Sequence, residues 1–341
     1  MQIGLFHSIQ WPAGSEQSDR YGQALRQAEL AEAIGFDSIW LTEHHFSRHG
    51  IVSDSLAVLA YLAARTERVR LGTAVTVLPL HDPVRLAETA ATVDMLSGGR
   101  LDLGIGRGYQ SGEFSGFGLD IGDKVSRFEE AVEVLQRAWG HDSPFTHHGT
   151  HWQYRDCAPQ PRPIQRPHPP IWQATESTEG MLASARHDWG ILFPQGSSLS
   201  RVESKMSDYH KALDEAGRAP DEAKVYLARG FYTAPSTEQA WDDAAGPYID
   251  FLTLAGQLAG ATGLPGDHAG ASDNPERMDA GIRQSAIFGS PDDCITSFRR
   301  IRDLGIERVM LFVHMGKMPH QKIVDSLELF GKEVLPVVRE F

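Results

Sequence analysis

The feature that most constrains the fold is a repeated alternation of short apolar segments with segments of helical spacing. Eight apolar segments have the length of buried strands, and a helical pattern follows each one. The expected strands are residues 3–6, 36–41, 69–78, 100–105, 171–174, 190–193, 224–232 and 309–312. Parallel strands that are covered on both faces are apolar throughout rather than alternating, as these are. Eight such units in one α/β chain predict a TIM (β/α)8 barrel.

A doubly wound sheet is the alternative to the barrel. It is disfavoured because no GxGxxG turn follows the first strand and because eight units exceed its usual construction. We therefore expect one barrel domain over residues 1–341 with two segments outside the repeat. Residues 145–154 should form a small hairpin, which leads into a proline-rich connector that ends near residue 170. Residues 256–281 are rich in Gly, Ala, Asp and Pro, which favours a mobile lid.

The charge of the chain excludes some functions. Lys and Arg total 32 against 45 Asp and Glu, a formal charge of -13, which would repel nucleic-acid phosphates and anionic membranes. Cys157 and Cys294 lack metal-ligand spacing, and two thiols in 341 residues do not form a disulfide framework. Residues 1–11 contain no basic leader, and no apolar stretch approaches 18 residues. We therefore expect a cytoplasmic protein.

In a barrel enzyme the functional residues lie at the carboxyl ends of the strands. The second strand ends in Glu43, His44, His45 and Phe46. Neighbouring residues of a strand point to opposite faces, so the two histidines should not share one metal ion. We expect one to face the barrel mouth and the other to pack away from it, and a metal site is disfavoured. A buried structural histidine is the alternative for His44.

Two further strand ends have features of a phosphate site. The fourth strand runs into the glycine-rich turn GIGRGY at residues 104–109, in which Arg107 could grip a phosphate. The fifth runs into TEST at residues 175–178, where hydroxyls meet the start of a helix. An ordinary turn and an ordinary helix cap are the respective alternatives. Together, the two strand ends favour a phosphate-bearing ligand.

These motifs combine with others into a resemblance. The segments LGTAVTVLP at 71–79, DPVR at 82–85, LSGGRL at 96–101 and GIGRG at 104–108 occur with EHHF at 43–46 and Glu176-Ser177. In this combination the chain resembles the bacterial luciferase-like flavin-dependent monooxygenases. The resemblance is dense up to about residue 130 and recurs between 170 and 195.

The resemblance implies a barrel that binds FMN as FMNH2, supplied by a separate NAD(P)H:flavin reductase. Such a protein reacts the reduced flavin with O2 to a C4a-hydroperoxyflavin and inserts one oxygen atom into a small, largely apolar substrate. His44 matches the family's catalytic histidine, and an imidazole can shuttle the required proton near neutrality. Ala74 and Val75 match a non-prolyl cis peptide that supports the flavin ring. Gly106 stands where luciferases proper carry cysteine, so light emission is not expected.

The resemblance also assigns binding residues. Glu176 should orient an arginine rather than touch phosphate. The expected cofactor-binding residues are Ala74, Val75, Gly106, Arg107, Tyr109, Arg127, Glu176, Ser177 and Thr178. The expected substrate pocket comprises Phe6, Trp11, Phe46, Ile191 and Phe193. The resemblance further implies a homodimer formed through the first few helices.

Three other functions stay open on the sequence. One is a deazaflavin-dependent hydride-transfer oxidoreductase from the same superfamily, which the EHHF motif disfavours. Another is a non-catalytic flavin-binding protein, which the presence of His44 disfavours. A metal-dependent barrel hydrolase is the third.

Overall fold

A computed structural model describes residues 1–140, 143–260 and 275–341 of the chain. Strands and helices alternate through these ranges. The strands are β1 Gln2–His7, β2 Ser38–Leu41, β3 Arg70–Thr73, β4 Thr76–Val77, β5 Leu101–Gly106, β6 Phe145–His148, β7 Gln153–Cys157, β8 Ile171–Ala174, β9 Gly190–Phe193, β10 Val225–Thr233, β11 Ile287–Gly289 and β12 Arg308–Phe312. The helices are α1 Gln17–Ile34, α2 Ser55–Ala63, α3 Pro83–Leu96, α4 Ser111–Gly116, α5 Lys124–Gly140, α6 Thr178–Arg186, α7 Leu199–Glu215, α8 Thr237–Ala259, α9 Pro275–Ser285, α10 Pro291–Asp303, α11 His320–Leu329 and α12 Leu335–Arg339.

Eight of the strands close into a parallel barrel, which confirms the predicted fold. Their order is β1, β2, β3, β5, β8, β9, β10 and β12, and β12 pairs again with β1. The short strand β4 continues from β3 along β5, and β11 adds to the outside of β10. Because every barrel strand runs in the same direction, all their carboxyl ends meet at one end of the barrel.

The opposite end of the barrel is filled by aromatic side chains. Trp40, Trp172 and Tyr226 come from three different strands, and their ring centroids lie 4.8 to 6.1 Å apart. Trp40 lies so close to β3 that a Cβ on Gly72 would be 2.2 Å from its ring. Glycine is therefore required there for the ring to fit. This packed layer fills one end of the barrel, so the space inside the barrel lies toward the carboxyl ends of the strands.

The structure adds elements that the sequence pattern did not predict. Helix α4 follows β5 after a loop of four residues, and its six residues are too few to show helical periodicity. Strand β11 has three residues.

The two ends of the lid predicted at residues 256–281 are helical. Residues 256–259 complete helix α8, because Leu252, Ala255 and Ala259 continue its buried stripe, and α9 begins at Pro275. The rest of that prediction, residues 261–274, lies outside the described residues.

The segment at 145–157 forms an antiparallel pair, β6 with β7. Glu130 of α5 anchors the loop between these strands, since its carboxylate accepts backbone N–H groups of Thr150, His151 and Trp152 at 2.8 to 3.2 Å. The hairpin is therefore fixed to the outside of the barrel through α5. None of the helices in the described ranges combines the length and apolarity needed to cross a membrane.

Candidate active site

A cavity of about 420 Å³ opens at the carboxyl ends of the barrel strands. The residues that directly follow six of these strands line it. They are Ser8, Thr42, Ala74, Arg107, Thr175 and Pro194. The cavity therefore occupies the position at which barrel enzymes place their chemistry.

One wall of the cavity is apolar. Helix α8 contributes Phe251 and Leu252, and the rings of Phe6 and Phe251 each pack on Phe312, with centroids 5.6 and 4.7 Å apart. Phe193 and Met310 extend the same surface. Such a wall binds the apolar part of a ligand and excludes water from it.

A second wall is formed by the peptide bond between Ala74 and Val75, which is cis. Both residues line the cavity. Gly106 of β5 lies behind this peptide, where an added Cβ would be 2.6 Å from Cγ2 of Val75. Gly106 is thus needed for Val75 to occupy its place, and the pair forms a fixed apolar surface.

The side chain of Arg107 lies on the cavity without a carboxylate partner. It forms no ion pair within the described ranges, and its Nε is buried without a hydrogen-bond acceptor. Its guanidinium lies 5.6 Å from the centroid of the Phe128 ring. A cationic side chain held in this way is suited to an anion.

The start of helix α6 borders the same part of the cavity. Ser177 caps the helix, since its Oγ accepts the N–H of Gly180 at 3.1 Å, and Thr175 lines the cavity beside it. The positive end of the helix dipole and these hydroxyls complement Arg107. Together these groups have the chemistry to hold an anion, and they are called the anion site below.

Glu176 borders the cavity as well, but its charge is already paired. Arg201 of α7 donates from Nε to Oε1 at 2.9 Å and from Nη2 to Oε2 at 3.2 Å. This two-point ion pair ties α7 to the end of β8. Arg201 was not identified from the sequence, because 25 residues of chain separate it from Glu176.

His44 lines the same cavity. Its Nδ1 is 3.0 Å from Oε1 of Glu113 and 3.0 Å from Nε2 of Gln110. No described residue forms a hydrogen bond with its Nε2. Glu113 and Gln110 were both missed from the sequence, because they belong to α4 and its cap.

His49 is the nearest imidazole to His44. The two ring centroids are 4.7 Å apart, and His49 stacks on Phe251 at 4.9 Å. Burial, together with the neighbouring His44, lowers the pKa of His49 well below its ordinary value. His49 is therefore neutral at physiological pH.

His45 points away from His44 into a separate cluster. Its Nε2 bonds Oε1 of Glu43 at 3.0 Å, and Nε2 of His81 lies 2.8 and 2.9 Å from the two oxygens of that carboxylate. Burial would raise the pKa of Glu43, but the charges and hydrogen bonds of His81 and His45 outweigh it and lower that pKa to about 2. Burial would likewise lower the pKa of His81, yet Glu43 raises it above its ordinary value. This cluster is an ion-paired structural unit.

Ten of the residues predicted from the sequence line the cavity. They are Phe6, His44, Ala74, Val75, Gly106, Arg107, Tyr109, Glu176, Ser177 and Phe193. The structure brings these residues, from six different strands or strand ends, to one place.

Five predicted residues do not line the cavity. Arg127 donates from Nε to the carbonyl of Pro79 at 2.9 Å and lies over the Trp152 ring at 4.5 Å, and it does not line the cavity. Thr178 is the first residue of α6 and does not reach the cavity.

The other three corrections concern apolar side chains. Trp11 stacks against Arg48 at 3.8 Å. Phe46 has a positive φ of 56°, which turns its ring outward, where it is 67% exposed. Ile191 packs in the hydrophobic core, and its neighbours Leu192 and Phe193 line the cavity instead.

The arrangement fits the cofactor that the sequence resemblance implies. A planar ring could rest on the Ala74–Val75 surface while a phosphate meets Arg107 and the start of α6. Among the residues that the structure describes, no group of three or more His, Cys, Asp or Glu side chains is arranged to hold a metal ion.

Comparison with known proteins agrees with this arrangement. The family model described as luciferase-like monooxygenase matches residues 1–308. The oxygenase component of the flavin-dependent trigonelline monooxygenase of Acinetobacter baylyi is 26% identical, over 100% of this chain and 96% of that protein. The FMNH2-dependent dimethylsulfone monooxygenase of Pseudomonas putida is 26% identical, over 92% and 86% of the two chains. The crystal structure of monooxygenase RslO1 from Streptomyces bottropensis has a TM-score of 0.84 at 30% identity and covers 98% of this chain and 99% of that one.

Proposed function

The chain belongs to the luciferase-like monooxygenase family, and we propose that it oxidises a small, largely apolar organic substrate with FMNH2 and O2. It is a flavin-dependent monooxygenase, with FMN as its cofactor and O2 as its co-substrate. The observation that supports the proposal best is the meeting of three features on one cavity. These are the anion site at Arg107, the Ala74–Val75 surface, and the imidazole of His44.

Arg107 and Ser177 are assigned to the phosphate of FMN. The guanidinium offers charge-assisted hydrogen bonds, and the start of α6 adds N–H groups and its dipole. Val75, supported by Gly106, presents an apolar surface to the flavin ring. When bound, FMNH2 supplies the two electrons for oxygen activation, so that one oxygen atom enters the substrate and the other leaves as water.

His44 is assigned to proton transfer at its Nε2. That nitrogen is not bonded by any described residue, whereas Nδ1 is held by Glu113. The apolar wall of Phe251, Leu252 and Phe312 keeps bulk water away from the reacting groups and accepts the hydrocarbon part of the substrate. This division supports a substrate that is mostly apolar.

Reduced flavin is proposed to come from a separate NAD(P)H:flavin reductase. The Acinetobacter relative is named as an oxygenase component, which supports the same division of labour. A diffusing supply of FMNH2 is sufficient, and no stable complex with the reductase is required.

We also propose that the protein is a homodimer. Tyr61 of α2 and Met95 and Leu96 at the end of α3 are large apolar side chains that are about half exposed or more. Burying them against a second copy would remove that surface from water. Sedimentation should give twice the chain mass, and Leu96→Glu should shift the protein toward monomer.

An anaerobic titration tests the cofactor assignment. Photoreduced FMN and a reduced deazaflavin are each added to the protein, and the bound fraction is separated by rapid ultrafiltration. We expect saturable binding of one FMNH2 per chain and weaker binding of the deazaflavin. Binding of the deazaflavin alone would overturn the proposal in favour of hydride transfer.

A further inference from the structure

We propose that Glu113 is a positioning residue that fixes the tautomer of His44, so that Nδ1 carries the proton and the bare Nε2 faces the cavity. The functional meaning of this inference rests on the proposed role of His44. The tautomer itself can be measured without flavin, substrate or turnover.

The carboxylate of Glu113 is fixed by two contacts. Its Oε1 lies 3.0 Å from Nδ1 of His44 and accepts the backbone N–H of His45 at 3.0 Å. The side chain is only 3% exposed. The acceptor atom therefore stays in place relative to the end of β2, which carries His44.

A hydrogen bond from Gln110 would favour the opposite tautomer of His44. Its Nε2 also lies 3.0 Å from Nδ1 of His44. A protonated Nδ1 donates to Glu113, whereas a bare Nδ1 accepts from Gln110. A hydrogen bond to a carboxylate is about twice as strong as a bond between neutral groups. Glu113 thus selects the form with the proton on Nδ1.

The other ionisable groups around His44 do not oppose this choice. His49 and Tyr109 are the ring neighbours, with centroids 4.7 and 6.3 Å from the His44 ring. Burial keeps His49 neutral by lowering its pKa, and burial raises the pKa of Tyr109 to about 12. Glu43 is the other nearby carboxylate, and both its oxygens bond His81. Glu113 is thus the charged group in contact with the imidazole.

The tautomer decides what His44 can do. A bare Nε2 can take a proton from an O–H group in the cavity, and the N–H bond forms as the O–H bond breaks. The resulting imidazolium keeps its Nδ1–H against the carboxylate of Glu113, which stabilises the positive charge until the proton is returned. The other tautomer would present an N–H donor to the cavity and could not accept a proton there.

The first test is 15N NMR of His44 in flavin-free protein, with the signal assigned by its loss in His44→Asn. We expect a protonated Nδ1 and a bare Nε2 in the wild type. Glu113→Met should convert most of the population to the form with Nε2 protonated, because only Gln110 then bonds Nδ1. Gln110→Met should leave the proton on Nδ1. An Nε2–H in the wild type would overturn the proposal even if no variant folded, and so would an unchanged tautomer in Glu113→Met.

Kinetics provide the second test. Glu113→Met should lower kcat by about a hundredfold with KM for the substrate nearly unchanged, since proton transfer is lost and binding is not. Glu113→Asp, which keeps the charge, should recover part of kcat. Glu129→Met makes the same change at an exposed residue of α5 and should have no effect. A rise in KM with kcat unchanged would contradict the proposal. So would a fall in kcat that Glu113→Asp does not restore even in part. If the wild type has the predicted tautomer but oxygenates no substrate, the proposed function is refuted and the tautomer proposal is not.

Discussion

His44 and His45 are neighbours at the end of β2, yet they belong to clusters of opposite character. His45 joins Glu43 and His81 in a closed cluster, in which both carboxylate oxygens are bonded. His44 joins Glu113 in an open cluster, because Nδ1 is held while no described residue bonds Nε2. The residue types are the same. The structural histidine and the reactive histidine differ here in whether a ring nitrogen is left unbonded and free to act in the cavity.

The same contrast recurs among the arginines of the site. Arg201 is paired with the carboxylate of Glu176 at two points. Arg107 lies on the cavity without an ion pair among the described residues. The closed groups therefore fix the walls, and the open groups are placed to meet a ligand.

The largest expected effect is the loss of chemistry on removing the open histidine. His44→Asn should lower the rate of product formation about a thousandfold, because a positioned proton-transfer group contributes about 10² to 10⁴. Thermal stability should change little. Oxygenation measured with a flavin reductase and NADH checks this, with exposed His148→Asn as the matched control. A variant that retains wild-type turnover would remove the distinction between the two clusters.

The closed cluster should respond in stability rather than in chemistry. Glu43→Gln leaves His81 and His45 without their buried counter-charge, and breaking such a pair costs about 3 kcal/mol. Urea denaturation should show this loss in the free energy of unfolding, while exposed Glu129→Gln should leave it unchanged. The distinction between the two clusters is wrong if Glu43→Gln abolishes oxygenation without lowering the free energy of unfolding.

The closed cluster also predicts a pH dependence. The pKa of Glu43 falls from 4.5 to about 2 on folding, so its contribution is present above pH 4.5 and is lost as the pH falls toward 2. The pKa of His81 is raised above 6.5, so its contribution is present below pH 6.5 and is lost as the pH rises through the raised value. The stability difference between wild type and Glu43→Gln should therefore be greatest between about pH 4.5 and 6.5.

Comparing wild type with Glu43→Gln cancels the contribution that other histidines make to the pH dependence of stability. Burial lowers the pKa of His7 to about 3, so protonation of the unfolded chain destabilises both proteins below pH 6.5. Unfolding curves of the two proteins across pH 3 to 9 give the comparison. A difference that stays constant over this range would contradict the ion-pair account of the cluster.

A smaller effect is expected at the open arginine. Arg107→Met should weaken FMNH2 binding by about 10- to 100-fold, which corresponds to the loss of roughly 1.5 to 3 kcal/mol from hydrogen bonds to a charged group. Arg127→Met should change the dissociation constant by less than about threefold, since the structure holds Arg127 on Trp152. Anaerobic titration of both variants decides between the structure and the sequence-based assignment of Arg127. If both variants weaken FMNH2 binding equally, Arg127 belongs to the phosphate site as the sequence predicted.

The sequence predicted the barrel because its pattern repeats eight times and does not depend on any one contact. It also predicted residues at or just after strand ends, such as His44 and Arg107, because a parallel barrel brings all strand ends to one place. It also placed Trp11 and Phe46 in the pocket, but neither lines the cavity, because both lie in loops where the local backbone sets the direction of the side chain. It missed Glu113 because a helix of six residues has no readable period.

The most direct measurement is the reaction of protein-bound FMNH2 with O2, followed by stopped-flow absorbance in wild type and His44→Asn. The account predicts a flavin absorbance distinct from both oxidised and reduced FMN that persists for seconds in the wild type and is shortened in the variant. Reoxidation of FMNH2 at the rate of the free flavin in the wild type would contradict the claim that this cavity is a monooxygenase site.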